Sequence, residues 1–234
     1  RIHVRIAQQT PLRFLISLEG TLQEELIENR IRHVVSRWLS LEWDPEPAVT
    51  IAQNIDGLIS AHIIAGGGRL LRCSSFFEDF VKTICTINTN WRSTIRMVSS
   101  LVSNLGCGAF PGPLIIKENG ENILREEIRM GFRSKVISQL TSHLLYEQII
   151  DGQGDLIAPI THNYLLDLPG IGPYSANHLM VLENDFSRIP IDSEVSEYCK
   201  KVLGIQPEEI ESFYDSLGEY RYLGYKLGRI LSQS

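Results

Sequence analysis

The chain has 234 residues, of which 43% are hydrophobic, and a formal net charge of −6. That length suits one large domain or two smaller ones with an ample core. The acidic balance excludes a protein that coats DNA through bulk positive charge, but it leaves room for a local basic face.

The first third of the chain predicts a small α+β portion. Apolar residues alternate within residues 1–19, which predicts two strands around a turn at Gln9–Pro11. Apolar spacings of three and four residues then predict helices over Leu22–Leu41 and Val49–Ala65. We therefore expect an N-terminal α+β domain over residues 1–72.

The remaining chain, residues 73–234, predicts an all-helical body. Helix starts are marked by capping residues or prolines, and polar or glycine-rich loops separate the helices. The predicted helices cover Phe76–Ile84, Trp91–Asn104, Ile115–Met130 with a break near Asn119 and Gly120, Ser134–Ile150, Pro173–Leu182, Ser193–Leu203, Pro207–Leu217 and Tyr220–Leu231.

A glycine hairpin within residues 165–182 organises the helical body. Leu168 is followed by Pro-Gly-Ile-Gly and then by Pro173, which suits the first position of a helix. Gly170 and Gly172 have no Cβ, so another backbone or an anion can come close. Consecutive N–H groups at a helix N-terminus form a binding site for a phosphate oxygen. A packed corner without a ligand is the alternative.

An acidic residue follows the hairpin at a short distance in the sequence. Asp192 comes after the apolar stretch Ile189–Ile191 and before Ser193. An aspartate at this position is a good helix N-cap, worth about 1 kcal/mol. A capping role and a chemical role are compatible for the same carboxylate.

Four segments together resemble a known family. Leu168–Gly172 matches the hairpin of the helix-hairpin-helix DNA glycosylases, and Pro190–Asp192 matches their catalytic aspartate segment. Ile84–Asn90 and Gly131–Lys135 look like segments of the 8-oxoguanine branch, so the resemblance covers about residues 73–234. It implies a mainly α protein with a small α+β N-terminal domain and a cleft between helical domains.

The resemblance implies a base-excision repair enzyme that acts on double-stranded DNA. Such an enzyme flips a damaged base out of the duplex and hydrolyses its N-glycosidic bond, leaving an abasic site. Asp192 is then the catalytic carboxylate. The backbone N–H groups expected to hold a DNA phosphate are those of Gly170, Gly172, Tyr174 and Ser175.

The resemblance also implies that a loop enters the duplex. This loop would consist of Asn88, Thr89, Asn90 and Trp91, whose amides could bond the orphaned partner base. Asparagine also favours ordinary turns, so a purely structural role is the alternative.

The sequence departs from the family at one informative position. Bifunctional members carry a lysine two residues after the second glycine, where this chain has Tyr174. A phenol cannot form an imine, so we expect a monofunctional glycosylase without lyase activity. Tyr174 would line the sugar pocket or have a packing role only. The departure favours an alkylated purine as the substrate, with an 8-oxoguanine-type glycosylase as the alternative.

The cysteine spacing, the hairpin and the hydropathy of the sequence lead to expectations about cofactors and location. The four cysteines have no iron–sulfur or zinc spacing, so we expect reduced thiols, no iron–sulfur cluster and no required cofactor. The family often holds a monovalent or divalent cation under the hairpin, here on the backbone carbonyls of Leu166, Leu168 and Ile171. No membrane helix or signal peptide is visible, so we expect an intracellular, DNA-associated monomer, in the cytoplasm or nucleoid, or in the nucleus if the source is eukaryotic.

Two rival functions remain at this stage. A non-catalytic DNA-binding protein could use the same hairpin for a phosphate, although it would need no acid at position 192. A strand-cleaving lyase could use another lysine, such as Lys135.

Overall fold

The computed structural model describes residues 3–10, 13–19 and 25–232, and these residues are mainly helical. The strands are β1 His3–Thr10 and β2 Arg13–Glu19, and the helices are α1 Glu25–Trp38, α2 Glu46–Gln53, α3 Gly57–Ile64, α4 Phe76–Thr86, α5 Trp91–Asn104, α6 Pro113–Glu126, α7 Arg133–Tyr146, α8 His162–Asp167, α9 Pro173–Leu182, α10 Ser193–Tyr198, α11 Ile210–Phe213 and α12 Arg221–Leu231, with a π-helical turn at Cys199–Leu203 and 3-10 turns at Pro207–Glu209 and Asp215–Tyr220.

The predicted fold class, mainly α with a small sheet at the N-terminus, is confirmed. The two strands pair antiparallel, with Ile6 opposite Ile16 and Thr10 opposite Arg13. Pro11, in the predicted turn, lies outside the described residues, as does Leu22 at the predicted start of the first helix. Within the described ranges, no helix has the length and apolarity to cross a membrane.

The single helix predicted over Val49–Ala65 is wrong, because the structure has two helices there. Asp56 caps α3 by accepting hydrogen bonds from the backbone N–H groups of Leu58 and Ile59. An aspartate side chain that bonds the next turn ends one helix and starts another. The apolar spacing continues across the break, which is why periodicity alone missed it.

The chain divides into two compact units whose boundaries differ from the predicted domains. The first contains residues 1–72, 184–188 and 205–234, and the second contains Cys73–Glu183 and Ile189–Gly204. The predicted division at residue 72 recurs, but the C-terminal helices belong to the first unit rather than to the helical body.

Aromatic packing explains why late residues join the first unit. The Phe186 ring meets Trp43 edge to face at 5.4 Å between centroids and stacks on Tyr222 at 6.1 Å. The Arg221 side chain donates to the backbone carbonyl of Ser187. These contacts join residues that are 34 or more positions apart in the sequence. Periodicity within one helix therefore cannot predict them.

Helix α4 forms the centre of the second unit. Ser75 caps it by accepting a hydrogen bond from the N–H of Glu78. Phe76, Phe80 and Ile84 are fully buried in the core. The helix packs against α5, α7 and α9, and its C-terminal end supports the candidate site.

Candidate active site

A cavity of about 670 Å³ lies in the second unit where three segments of the chain meet. The segments are the end of α4 with the loop into α5, the hairpin with the start of α9, and the residues that begin α10. The lining residues are Thr86, Ile87, Asn88, Thr89, Trp91, Thr94, Gly170, Gly172, Pro173, Tyr174, Ser175, Ile191, Asp192, Ser193 and Glu194. Most of the sequence-predicted site residues therefore come together in one place.

The hairpin is shaped by its first glycine. Gly170 has a φ of +84°, and a Cβ there would lie 3.2 Å from both methyl groups of Val136 on α7. The N–H of Ile171 donates to the carbonyl of Leu168, which closes the turn. A side chain at position 170 would be strained in the backbone and crowded against α7.

The hairpin leads into a helix start without a side-chain cap. Gly172 occupies the N-cap position of α9, and Pro173 takes the first helical position, as the sequence predicted. Tyr174 and Ser175 follow and line the cavity. The first N–H groups of a helix need partners, and here the N-cap residue, Gly172, has no side chain to supply one. This helix end is thus suited to an anion at the cavity.

Asp192 lines the same cavity and caps α10. Its Oδ1 accepts a hydrogen bond of 2.8 Å from the N–H of Val195, and the residue is half-buried. Its other carboxylate oxygen accepts none from the part of the chain that the structure describes. The capping role expected from the sequence is confirmed, and it leaves one oxygen available to a ligand.

Tyr174 contacts both α4 and its own helix. Its hydroxyl interacts with the Thr86 side chain, and its ring stacks on His178 at 5.9 Å with an interplanar angle of 6°. Burial raises the pKa of Tyr174, with further raising contributions from Asp192 and Glu194 and a lowering contribution from Thr86. The phenol stays protonated at neutral pH and can donate or accept within the cavity.

His178 lies in an electrostatic environment with opposing contributions. Burial lowers its pKa, while the carboxylates of Asp79 and Asp192 act in the raising direction. Asp79 is itself buried, with 4% of its surface exposed, and its Oδ1 accepts the N–H of Cys73. Desolvation is the larger effect, so the imidazole is neutral at neutral pH.

The loop between α4 and α5 is tightly built. Asn88 has a φ of +47°, a left-handed conformation that asparagine tolerates. Asn90 caps α5 by accepting the N–H of Ser93, and it does not line the cavity. Trp91 is 72% exposed at the cavity. Asn90 therefore has a structural role in the loop, and contact of Asn88, Thr89, Asn90 and Trp91 with DNA stays a prediction.

Arg133 anchors this loop, which the sequence did not reveal. The guanidinium donates to the carbonyl of Ile87 and lies 4.5 Å from the centroid of the Phe132 ring. The residue is only 7% exposed. Arg133 lies in a basic stretch of the sequence, and no local pattern there indicates that it is buried.

The proposed cation ligands are backbone oxygens under the hairpin. Leu168 and Ile171 are buried and Leu166 is partly exposed, and none of them lines the cavity. The Leu168 carbonyl already accepts from Ile171, which leaves it a second lone pair. Among the described residues, no cluster of three His, Cys, Asp or Glu side chains could hold a metal. Neutral carbonyl oxygens fit a hard cation, and the cation stays a prediction.

Three further residues at or near the cavity were not predicted as site residues. Thr86 interacts with the Tyr174 hydroxyl, and Glu194 adds a second carboxylate to the lining. Asn177 is buried in α9 and bonds two distant residues. A polar amide among apolar helix neighbours was the available signal for Asn177, because a buried amide needs partners.

The sequence matches no known protein-family model and no curated protein. Solved structures do resemble it. MBOgg1 in complex with a low affinity DNA ligand aligns over 98% of this chain and 82% of its own, at 19% identity and a TM-score of 0.66.

Two further structures are enzymes by name. The 8-oxoguanine glycosylase/lyase of Clostridium acetobutylicum, bound to double-stranded DNA with cytosine opposite 8-oxoG, aligns over 97% of this chain and 82% of its own, at 18% identity and a TM-score of 0.62. The 3-methyladenine DNA-glycosylase of Archaeoglobus fulgidus aligns over 96% and 83%, at 17% identity and 0.64. The chain has the fold of these DNA glycosylases, as the resemblance to the helix-hairpin-helix glycosylases predicted.

Proposed function

We propose that the chain is a base-excision repair glycosylase that hydrolyses the N-glycosidic bond of a damaged base in duplex DNA. The observation that supports this proposal is the shared cavity of the uncapped α9 start and the Asp192 carboxylate. One part suits a DNA phosphate, and the other suits the positive charge that develops on the sugar as the bond breaks. The fold shared with DNA glycosylases supports the same reading.

In the proposed reaction the carboxylate acts in two ways. The open oxygen of Asp192 stabilises the positively charged sugar electrostatically and accepts a proton from the attacking water. The water oxygen bonds C1′, the C1′–N bond breaks, and its electron pair leaves with the base. The Val195 N–H holds the carboxylate in place throughout, because it binds the other oxygen.

A release assay over a panel of damaged bases tests this function. We expect the wild type to release at least one base, and D192N to release it about 100 to 1,000 times more slowly. Asparagine also caps helices well, so D192N should stay folded. A D192N protein that releases the base at the wild-type rate would reject the assignment. A wild type that binds duplex DNA but releases no base would indicate the non-catalytic DNA-binding alternative.

We further propose that the enzyme is monofunctional. Tyr174 occupies the cavity at the position where bifunctional relatives carry lysine, and the residues that line the cavity include no lysine. The product strand should therefore stay intact until alkali cleaves the abasic site. Borohydride should trap no protein on DNA, and a trapped adduct lost in K135A would identify Lys135 as a lyase nucleophile instead.

An alkylated purine is the substrate class that the lining favours. Asp192 and Glu194 contribute two carboxylates, and the residues that line the cavity include neither lysine nor arginine. A purine alkylated on a ring nitrogen is cationic, so this lining attracts it and the base needs less acid assistance to leave. In the panel, 3-methyladenine and 7-methylguanine should be released faster than 8-oxoguanine, and the reverse order would favour the 8-oxoguanine alternative.

A further inference from the structure

Asn177 is a buried amide in the first half of α9, with 8% of its surface exposed. Both ends of the amide have partners. Nδ2 donates to the backbone carbonyl of Ile189 at 2.9 Å, and Oδ1 lies 2.7 Å from Nε2 of His162. Each bond joins Asn177 to a residue more than a helix turn away in the sequence.

The chemistry of the partners fixes the orientation of the amide. The carbonyl of Ile189 can only accept, so the amide nitrogen must face it and the amide oxygen must face His162. His162 therefore donates from Nε2. The tautomer that carries its proton on Nε2 supplies this donor.

The three joined residues belong to the parts of the chain that build the cavity. His162 is the first residue of α8, and α8 and α9 are the two arms of the hairpin. Ile189 is fully buried and begins the irregular segment that leads to Asp192 three residues later. One side chain thus connects both arms of the hairpin to the segment that supplies the carboxylate.

We propose that Asn177, supported by His162, is a positioning residue that sets the place of Asp192 relative to the hairpin. This role rests on the proposed function, in which the hairpin holds a phosphate and Asp192 acts on the neighbouring sugar. A misplacement of about 1 Å in such a site costs about 100-fold in rate.

Two variants separate the bonds of Asn177. N177D retains an acceptor for His162 but loses the donor to Ile189, and it places a carboxylate against a carbonyl oxygen. We expect the single-turnover rate of base release to fall about 100-fold. H162L keeps the bond to Ile189 and should lower the rate about tenfold, whereas H162Q supplies an N–H donor at similar reach and should restore it.

Measurements of DNA binding and of stability distinguish a positioning role from a merely structural one, because only a positioning role lowers the release rate while DNA binding is retained. The hairpin N–H groups are unchanged in N177D, so the Kd for a duplex with an abasic-site analogue should stay within about twofold of the wild type. T141V is the matched control for stability. Thr141 is fully buried and donates to the carbonyl of Ile137 outside the cavity. The T141V variant should lower the melting temperature without changing the rate of base release.

The double variant N177D/D192N tests whether Asn177 acts through Asp192. If it does, N177D should not lower the residual rate of D192N any further. A 100-fold loss in both backgrounds, or an N177D protein as active as T141V, would overturn the positioning role while base release by the wild type still stands. A wild type without base release on any lesion would reject the proposed function and this role together.

Discussion

Two helices, α9 and α10, begin at the same cavity, and they differ in whether the N-cap side chain accepts a hydrogen bond from a backbone N–H group of the first turn. At α9 the N-cap is Gly172, which has no side chain to offer. At α10 the N-cap is Asp192, whose carboxylate bonds the N–H of Val195. The uncapped end is suited to an anion brought by a ligand, whereas the capped end contributes a fixed anion of the protein. A phosphate and a developing sugar cation need these two opposite surroundings side by side.

The strongest test of this difference between the two helix starts is a variant in which α9 begins with an aspartate, as α10 does. In G172D a carboxylate would occupy the N-cap of α9, where a Cβ meets no atom within 4 Å. We expect the affinity for duplex DNA to fall at least about tenfold, because the new carboxylate takes the place of a phosphate. Fluorescence anisotropy with a labelled duplex measures the change.

A charge-matched control accompanies that variant. G57D adds the same charge to an exposed helix start in the other unit, where a Cβ is also unobstructed. It should leave DNA affinity within about twofold. Equal losses in G172D and G57D would mean that the α9 start contributes nothing beyond net charge.

The next prediction separates the two roles of the α10 cap. D192A removes both the carboxylate and the cap, so the free energy of unfolding should fall by about 1 kcal/mol. D192N should unfold with nearly the wild-type free energy while both variants lose base release. Urea unfolding measures the difference, and equal stability of D192A and D192N would show that the bond to Val195 contributes little.

A smaller effect concerns the imidazole that stacks on Tyr174. Burial lowers the pKa of His178 from its ordinary value of 6.5. At a pH between the folded and the unfolded pKa, the imidazole is therefore protonated in the unfolded chain and neutral in the folded chain. The free energy of unfolding should therefore fall as the pH drops through 6.5 towards the lower folded pKa. H178Q should lose less stability over this range. H143Q, at an exposed histidine, serves as the control and should behave like the wild type.

The smallest expected effect is on thiol reactivity. Burial raises the pKa of both Cys73 and Cys85 to about 12, and Cys199 is buried. Cys107 is exposed. A disulfide reagent at neutral pH should modify one thiol quickly in the folded protein, and C107S should abolish that fast phase. Two or more fast thiols in the wild type would contradict this arrangement.

Local signals in the sequence predicted several elements well. The bounds of α5 and α9 match the prediction, because both helix starts have local causes. Asn90 accepts a hydrogen bond within the first turn of α5, and Pro173 has a fixed φ that suits the first position of α9. The meeting of the hairpin with Asp192 was expected from the family resemblance, since nothing in the spacing of the two segments requires it.

The features that escaped prediction depend on distant partners. Arg133 belongs to a basic stretch in the sequence, and only the fold shows that it bonds the Ile87 carbonyl. The sequence around Asn177 does not indicate that its amide bonds His162 and Ile189. The aromatic contacts of Phe186 place late residues with the first unit, and such contacts arise from tertiary packing that local patterns do not encode.

The exposed indole at the cavity has a practical consequence. Trp91 is the sole tryptophan of the second unit, because Trp38 and Trp43 belong to the first. Its side chain is largely exposed, so it should fluoresce as an indole in water does, and a nucleobase stacked on it should quench that fluorescence. The molecule therefore carries an intrinsic optical probe at the site, and stopped-flow emission can time the arrival of a duplex without any attached dye.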